Sequence, residues 1–458
     1  MPGPGPSIRL FRFTRSWRQG WVAVFAAAAS FPSFGEDLLQ VYREAQRYDA
    51  VYQAARHTLE AGRERRPQGL ALLLPTLNLT GSATRSRSEV DSRDPSISPS
   101  FIRTPDSVGY TLTFNQPLYR PQNWLQYRQS DHQVRQAEAT FGQAYQDLIV
   151  RTATAYFDVL AAQDTLGLVR AQKEATAEQL EQAKRNFEVG TATITDTHEA
   201  QARFDLIGAQ EIAALNDLES KRRALQLLIG KEPAELKPLR SDVRLTPPNP
   251  PDMQVWVDLA EKHAYPVQIA EAQADIAALE RRRTNAAHLP TVDFVATHGQ
   301  TGASATGETL GVGRDTTTTA VGVQLAMPLF QGFAMTSRDR ETAALALKAK
   351  EDVENARRNS ALATRQNYLA VINGIAQVGA LEQALVSSQS ALDSNKLGYE
   401  VGVRINIDVL NAQQQVFQTR RDLALARYNT IVNSLRLKAV AGTLRDEDLE
   451  EVNRALAP

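Results

Sequence analysis

The chain has 458 residues, 22% charged and 43% apolar, a balance that excludes wholesale disorder and leaves room for two or three ordinary domains. Its formal charge is −1, and the basic clusters Arg222-Arg223, Arg281-Arg282-Arg283 and Arg420-Arg421 are interspersed with acids, so they read as solvated helix faces and exclude a nucleic-acid surface. Without cysteine there is no disulfide, thiolate metal site or lipid-modified N-terminal Cys.

In chain order, the cationic stretch carrying Arg9, Arg12, Arg15 and Arg18 precedes the apolar run 21–31 and the sequence Ser33-Phe34-Gly35. That pattern predicts a secretory signal peptide over residues 1–35, cleaved after Gly35. The apolar run is far shorter than the roughly 20 residues a spanning helix needs. Removing it takes four arginines and no acids, so the mature charge is 47 − 52 = −5. No later stretch reads as a transmembrane helix, so a membrane could be entered only by a closed β-barrel.

Residues 36–230 form a first repeat, 231–251 a Pro-rich connector, 252–442 a second repeat and 443–458 a C-terminal segment. No proline lies between Pro121 and Pro233, or between Pro328 and Pro458, and both stretches are rich in Ala, Gln, Glu, Arg and Leu. The first repeat is expected to hold helices over 37–66, 122–188 and 195–229, and the second over 252–287, 331–400 and 406–441. The 122–188 helix would span about 100 Å at 1.5 Å per residue. Helices of that length with small Ala-rich seams belong in coiled-coil packing.

Four segments switch to a two-residue period: 74–84, 107–117, 289–298 and 320–328. Leu77 and Leu79, Val108, Tyr110, Leu112 and Phe114, Val292, Phe294 and Ala296, and Val321, Val323 and Leu325 fall on apolar faces. Each is about the length of a tilted membrane strand, although a soluble two-sheet domain would show the same alternation. Polar loops rich in Gly, Ser and Thr join each pair. Four strands cannot close a barrel, since the smallest have about eight. If they span a membrane the protein must oligomerise.

The sequences FEVGTATITDTHEAQ (187–201) and YEVGVRINIDVLNAQ (399–413) align at an offset of 408 − 196 = 212 residues. Gly190 and Gly402 fall where a helix-terminating glycine is expected, which makes these two stretches hairpin turns. Asp196 and Asp408 then lie in the first turn of the returning helices. Helix capping explains an acid there; a ring of carboxylates around a pore is the other reading.

Residues for catalysis are lacking. The six histidines are scattered without paired-ligand spacing, Gly311-Val312-Gly313 does not continue into a phosphate-binding fingerprint, and the Asn78-Leu79-Thr80 sequon lies within a strand. No cofactor or metal site is expected.

At this point EDLLQVYREA (36–45), LLPTLNL (73–79), TATAYFDVLAAQD (152–164), AQKEA (171–175), HLPTVDF (288–294), LGYEVGVRINIDVL (397–410) and ARYNTIVNSLRLKAVAGTL (426–444) carry a resemblance over essentially the whole mature chain. The chain resembles the TolC family of outer-membrane channels. The resemblance implies a mixed α and β fold: a homotrimeric twelve-stranded outer-membrane barrel, four strands per protomer, continued by an α-helical coiled-coil barrel across the periplasm. It implies a non-enzymatic exit duct for type I secretion or multidrug efflux, gated at its periplasmic end. The implied partners are a periplasmic adaptor, an inner-membrane ABC or proton-driven transporter, and outer-membrane lipid. The matching latch positions are Thr195 and Asp196 on one hairpin and Tyr399 and Arg404 on the other, and Asp408 matches the entrance constriction. Asn411 stands where the type member carries a second Asp. The competing reading is a soluble periplasmic coiled-coil scaffold or adaptor.

Overall fold

The computed structural model describes residues 35–457 except 92, 94–95, 97–100, 105, 241–242 and 305–311; the expected signal peptide, Gly35 apart, and parts of both polar loops lie outside the described residues. Three short helices open the chain, α1 (Leu38–Tyr48), α2 (Ala50–Arg63) and α3 (Arg65–Ala71). The expected single helix is broken at Asp49, which caps α2 by accepting from the Tyr52 amide at 2.6 Å. Arg151 holds the same carboxylate, which is 4% exposed, at 3.0 and 3.2 Å. Arg151 thus bridges this cap to Asp147 of its own helix, to which its Nε donates at 2.7 Å.

Strands β1 (Thr76–Arg85), β2 (Ser88–Val90), β3 (Phe101–Arg103) and β4 (Asp106–Tyr119) follow. Next come α4 (Pro121–Glu188), with proline at its first position, and α5 (Ile194–Ile229), ended by Gly230 at φ 74°. The second repeat supplies α6 (Met253–His263), α7 (Tyr265–Ala286), β5 (Thr291–Ala303), β6 (Arg314–Ala326), α8 (Ala334–Glu400) and α9 (Asn406–Val440), and α10 (Asp446–Arg454) closes the chain. The expected helix over 252–287 is divided at Ala264, ψ 132°, because Pro266 has no N–H to donate to the carbonyl four residues earlier and its ring would clash with it, so the proline is accommodated in the first turn of a new helix. Strand β6 begins six residues before its expected start at 320: threonines 316–319, read as loop, pair with Gly299, Gln300, Thr301 and His298.

β1, β4, β5 and β6 form one antiparallel sheet in the order β1-β4-β5-β6. Directly opposed residues share a face, so Leu77, Phe114, Ala296 and Val321 line up across it, with Phe294 opposite Val323 and Val292 opposite Leu325. The other face carries Asn78, Thr113 and Thr297 in register. The apolar face is open: Leu79 is 70% exposed and Leu325 68%. Exposed Tyr119, Trp124, Phe330 and Phe333 cluster where strands give way to helices, the position of an interfacial aromatic girdle.

At the same junction Arg120 forms a two-pronged ion pair with Asp293, at 2.7 and 2.6 Å, and Asp293 is 7% exposed. This pair ties the start of α4 to β5. Helix neighbours repeat the strand order: α3 packs on α4, α4 on α7 and α7 on α8. Beyond mid-length α5 and α9 take over, α5 and α9 both packing on α4 and α9 on α8.

The largest core lies midway along α4, where Leu148, Ile149, Tyr156 and Phe157 meet α1, α5, α9, α10 and the connector. The Tyr156 hydroxyl donates to the carbonyls of Glu36 and Lys237 at 3.1 and 2.9 Å, fastening the chain start and connector to α4. Phe157 packs on Tyr428, whose hydroxyl donates to Asp164 Oδ2 at 2.6 Å. Burial holds the Asp164 carboxyl above the usual range.

One feature corrects the sequence reading. A window of 18 residues within α8 is apolar enough that length and composition alone would let it cross a membrane. Only 11% of that window is buried in the single chain. Its apolar residues are spread along a helix that packs on α7 and α9 and leaves another face open.

Arg120→Ala and Asp293→Ala are each expected to lower the melting midpoint in detergent, the first by stranding a buried carboxylate at about 1–3 kcal/mol. The double variant should lose less than the sum, and additive losses would show that the pair is not coupled. For Asp164, whose folded pKa is raised, the favourable contribution is present at acid pH and is lost as pH rises through the folded pKa. Asp164→Asn, which still accepts from Tyr428, should therefore raise the midpoint at pH 8 and not at pH 3; an equal gain at both would refute the buried-charge account.

Candidate functional site

The two helical hairpins end in the same turn. In the first, Val189 N–H donates to Arg185 O, and Thr191 N–H to Asn186 O at 2.8 Å around Gly190, φ 78°. In the second, Val401 N–H donates to Leu397 O, and Val403 N–H to Gly398 O at 2.9 Å around Gly402, φ 80°. These left-handed glycines let the chain reverse without a Cβ penalty.

The side chains at equivalent positions then send the two copies in different directions. Thr193 caps α5: its hydroxyl accepts from the Asp196 amide, while Asp196 Oδ2 accepts from the Thr193 amide at 2.9 Å and from its hydroxyl at 2.8 Å. The carboxylate of Asp196 is thus occupied by its own turn. At the corresponding position α9 has Ile405, which cannot cap, so Asp408 is left available. Arg404 Nη1 approaches it at 3.6 Å. Gly398 makes room for this arginine, since a Cβ there would lie 2.7 Å from Arg404 Cγ.

Where the second copy has Gly398 the first has Asn186, and its amide donates to the Tyr399 hydroxyl at 3.1 Å. That is one polar link from hairpin to hairpin. A second was not anticipated from sequence: Arg203 of α5 donates to Gln414 Oε1 at 2.6 Å and to Asn411 Oδ1 at 2.9 Å, both on α9. A small apolar plug of Leu180, Ala183, Ala200 and Leu410, flanked by Phe204 and Ile407, lies between α4, α5 and α9.

Of the latch residues expected from resemblance, Tyr399 reaches the first hairpin, but through Asn186. Within one chain Arg404 turns to Asp408, and Asp196 to Thr193, so these two do not form a pair with each other. Thr195 is exposed at the α5 start. Asn411 is an acceptor for Arg203. A signal for the missed link existed in the sequence, a lone Arg in the tip region of α5 facing an amide-rich α9 start, but pairing across 208 residues cannot be read from spacing.

A sheet with an apolar outer face running strand by strand into long helices defines a channel that passes from an outer membrane into a helical tunnel. The profile of the outer membrane efflux protein family matches residues 41–231 and 256–443, and the chain belongs to that family. It is an outer-membrane channel and not an enzyme, with its helical part in the periplasm. It is 30% identical to outer membrane protein TolC of Vibrio cholerae over 436 residues, covering 95% of this chain and 97% of that protein. It is 33% identical to the alkaline protease secretion protein AprF of Pseudomonas aeruginosa over 422 residues, 92% of this chain and 87% of that one. Among solved structures, the outer membrane protein VceC of Vibrio cholerae superposes with a TM-score of 0.73 at 20% identity, covering 88% of this chain and 96% of that chain. The Campylobacter jejuni CmeC outer membrane channel gives 0.72 at 17% identity, covering 92% and 90%.

The capping asymmetry is directly testable. Thr193→Ala should cost about 1 kcal/mol at the α5 start and speed amide hydrogen exchange over residues 193–197. Ile405→Thr should do the reverse for α9, slowing exchange over 405–409 as Asp408 is drawn into a capping box; unchanged exchange in both would sink the explanation.

Proposed function

We propose that three copies of this chain close into a twelve-stranded barrel and a continuous helical tunnel that serves as the exit duct for type I protein secretion, multidrug efflux, or both. The observation that carries this reading is the sheet itself, whose edge strands β1 and β6 each have one side unpaired and carry exposed apolar residues. Such edges are tolerable in a membrane only when another strand covers them. The open apolar face of α8 and exposed Leu206, Ile212 and Leu227 of α5 supply the matching helical seams. Relatives named for protease secretion support the secretion duty.

Channels of this family work with other transport components. The specific partners we propose are a periplasmic adaptor and an inner-membrane ABC or proton-driven transporter, which would supply energy while the duct stays passive. Residues 36–230 and 252–442 act as two structural repeats, each giving two strands and one hairpin, joined by the connector 231–251.

At the periplasmic entrance, three Asp408 carboxylates narrow the passage and attract cations. Arg404 beside each one tempers that field. The Tyr399 link to the first hairpin holds the entrance closed, and Arg404 and exposed Thr195 are available to a neighbouring copy at the same level. Gly190 and Gly402 form the tips presented to the partner.

The purified protein should migrate as a heat-modifiable trimer, leave membranes only with detergent, and form channels in planar bilayers. A detergent-free soluble form would favour the scaffold alternative and overturn this reading. Asp408→Ala should reduce cation selectivity and relieve block by multivalent cations, and combined Tyr399→Phe and Arg404→Ser should raise conductance; unchanged selectivity and conductance would remove these residues from the gate.

A further inference from the structure

Arg203 makes a short side-chain link between the hairpins near their tips, and it is built differently from an ion pair. Its guanidinium donates to Gln414 Oε1 at 2.6 Å and Asn411 Oδ1 at 2.9 Å, two neutral amide oxygens three residues apart on α9. Positions three apart share a helix face, and Asn411 is itself three residues beyond Asp408. One planar fork therefore spans two acceptors directly above the constriction, a geometry that lysine cannot reproduce.

The surroundings give this link leverage. The plug beside it buries only small groups and two leucines, in contrast with the large core midway along α4. Polar atoms near the same seam are buried without a hydrogen-bond partner in the chain: Gln179 Oε1, Thr197 Oγ1, both side-chain atoms of Asn406, and Gln413 Oε1. With so little apolar area at this level, the seam gains little from burial. The closed arrangement thus depends on the few strong bonds that cross it.

We propose that Arg203, with Asn411 and Gln414 as its acceptors, is a gate-holding clamp that keeps α9 against the first hairpin, and that its charge, unpaired with any carboxylate among the described residues, also offsets Asp408 at the entrance. This deepens the reading of the hairpin ends as the channel entrance and rests on it. Because both acceptors are amides, the clamp holds by hydrogen-bond geometry as well as charge.

Single-channel recording of the purified wild-type protein in planar bilayers tests it, against Arg203→Gln, Arg203→Lys and the double variant Asn411→Ala/Gln414→Ala. Arg203→Gln should raise the open fraction by about an order of magnitude, the shift expected for losing one charge-assisted two-pronged bond. It should also increase cation selectivity. Arg203→Lys should open the gate partly with selectivity unchanged, whereas the acceptor double variant should open it as fully as Arg203→Gln while keeping the charge. Unaltered heat-modifiable migration would show that each variant still assembles. Wild-type closure in all three variants would overturn the clamp while leaving the entrance reading intact if Tyr399→Phe/Arg404→Ser still opens the channel. Channels that respond to none of these variants would overturn both.

Discussion

Everything in this molecule is subordinate to the backbone hydrogen bonds that β1 and β6 leave unmade. In lipid each such group costs several kcal/mol, so the sheet cannot end at its own edges. The proposed closure by further copies would satisfy them, and would account for features that would be defects in a monomer: leucines and valines standing in the open on β1 and β6, and an exposed apolar window within α8. The helices inherit the arrangement because each follows or precedes its strand without changing neighbours. Barrel and tunnel are one wall, and the Arg120–Asp293 pair stands at the level where its chemistry changes.

The wall is duplicated within the chain, and the copies have diverged where it matters. At the tips the backbone hydrogen-bond patterns are nearly superimposable, so the turn was kept. Exchanging Thr193 for Ile405 removes a cap, exchanging Asn186 for Gly398 makes a berth for an arginine, and exchanging Phe187 for Tyr399 adds a hydroxyl to be held. Three small changes convert one turn into a locally satisfied structure and the other into one whose polar groups look outward.

Which parts could be read in advance follows from how local the signals are. Long Pro-free stretches, two turn glycines and four alternating runs depend on neighbours in sequence, and they placed the long helices within a few residues. The break at Ala264 was legible in Pro266 and was passed over, whereas the break at Asp49 depends on Arg151, a residue of another helix. At the site, resemblance pointed to the turn, and within one chain Asp196 is engaged by Thr193, the capping residue three positions earlier. Arg203 was invisible because its acceptors lie on the other hairpin.

The distribution of stability follows the same logic. Midway along α4 the aromatic stack of Tyr156, Phe157 and Tyr428 joins five elements and the connector, so that level has no freedom to move. Towards the tips the apolar core shrinks to a plug, amides replace leucines, and several polar atoms are buried unsatisfied. A tunnel built the other way round, with its strongest packing at the entrance, would be difficult to open without unfolding. In the proposed assembly, low local stability at the ends of long helices would let a partner separate the hairpins by breaking a few directional bonds, while the wall above keeps its closure.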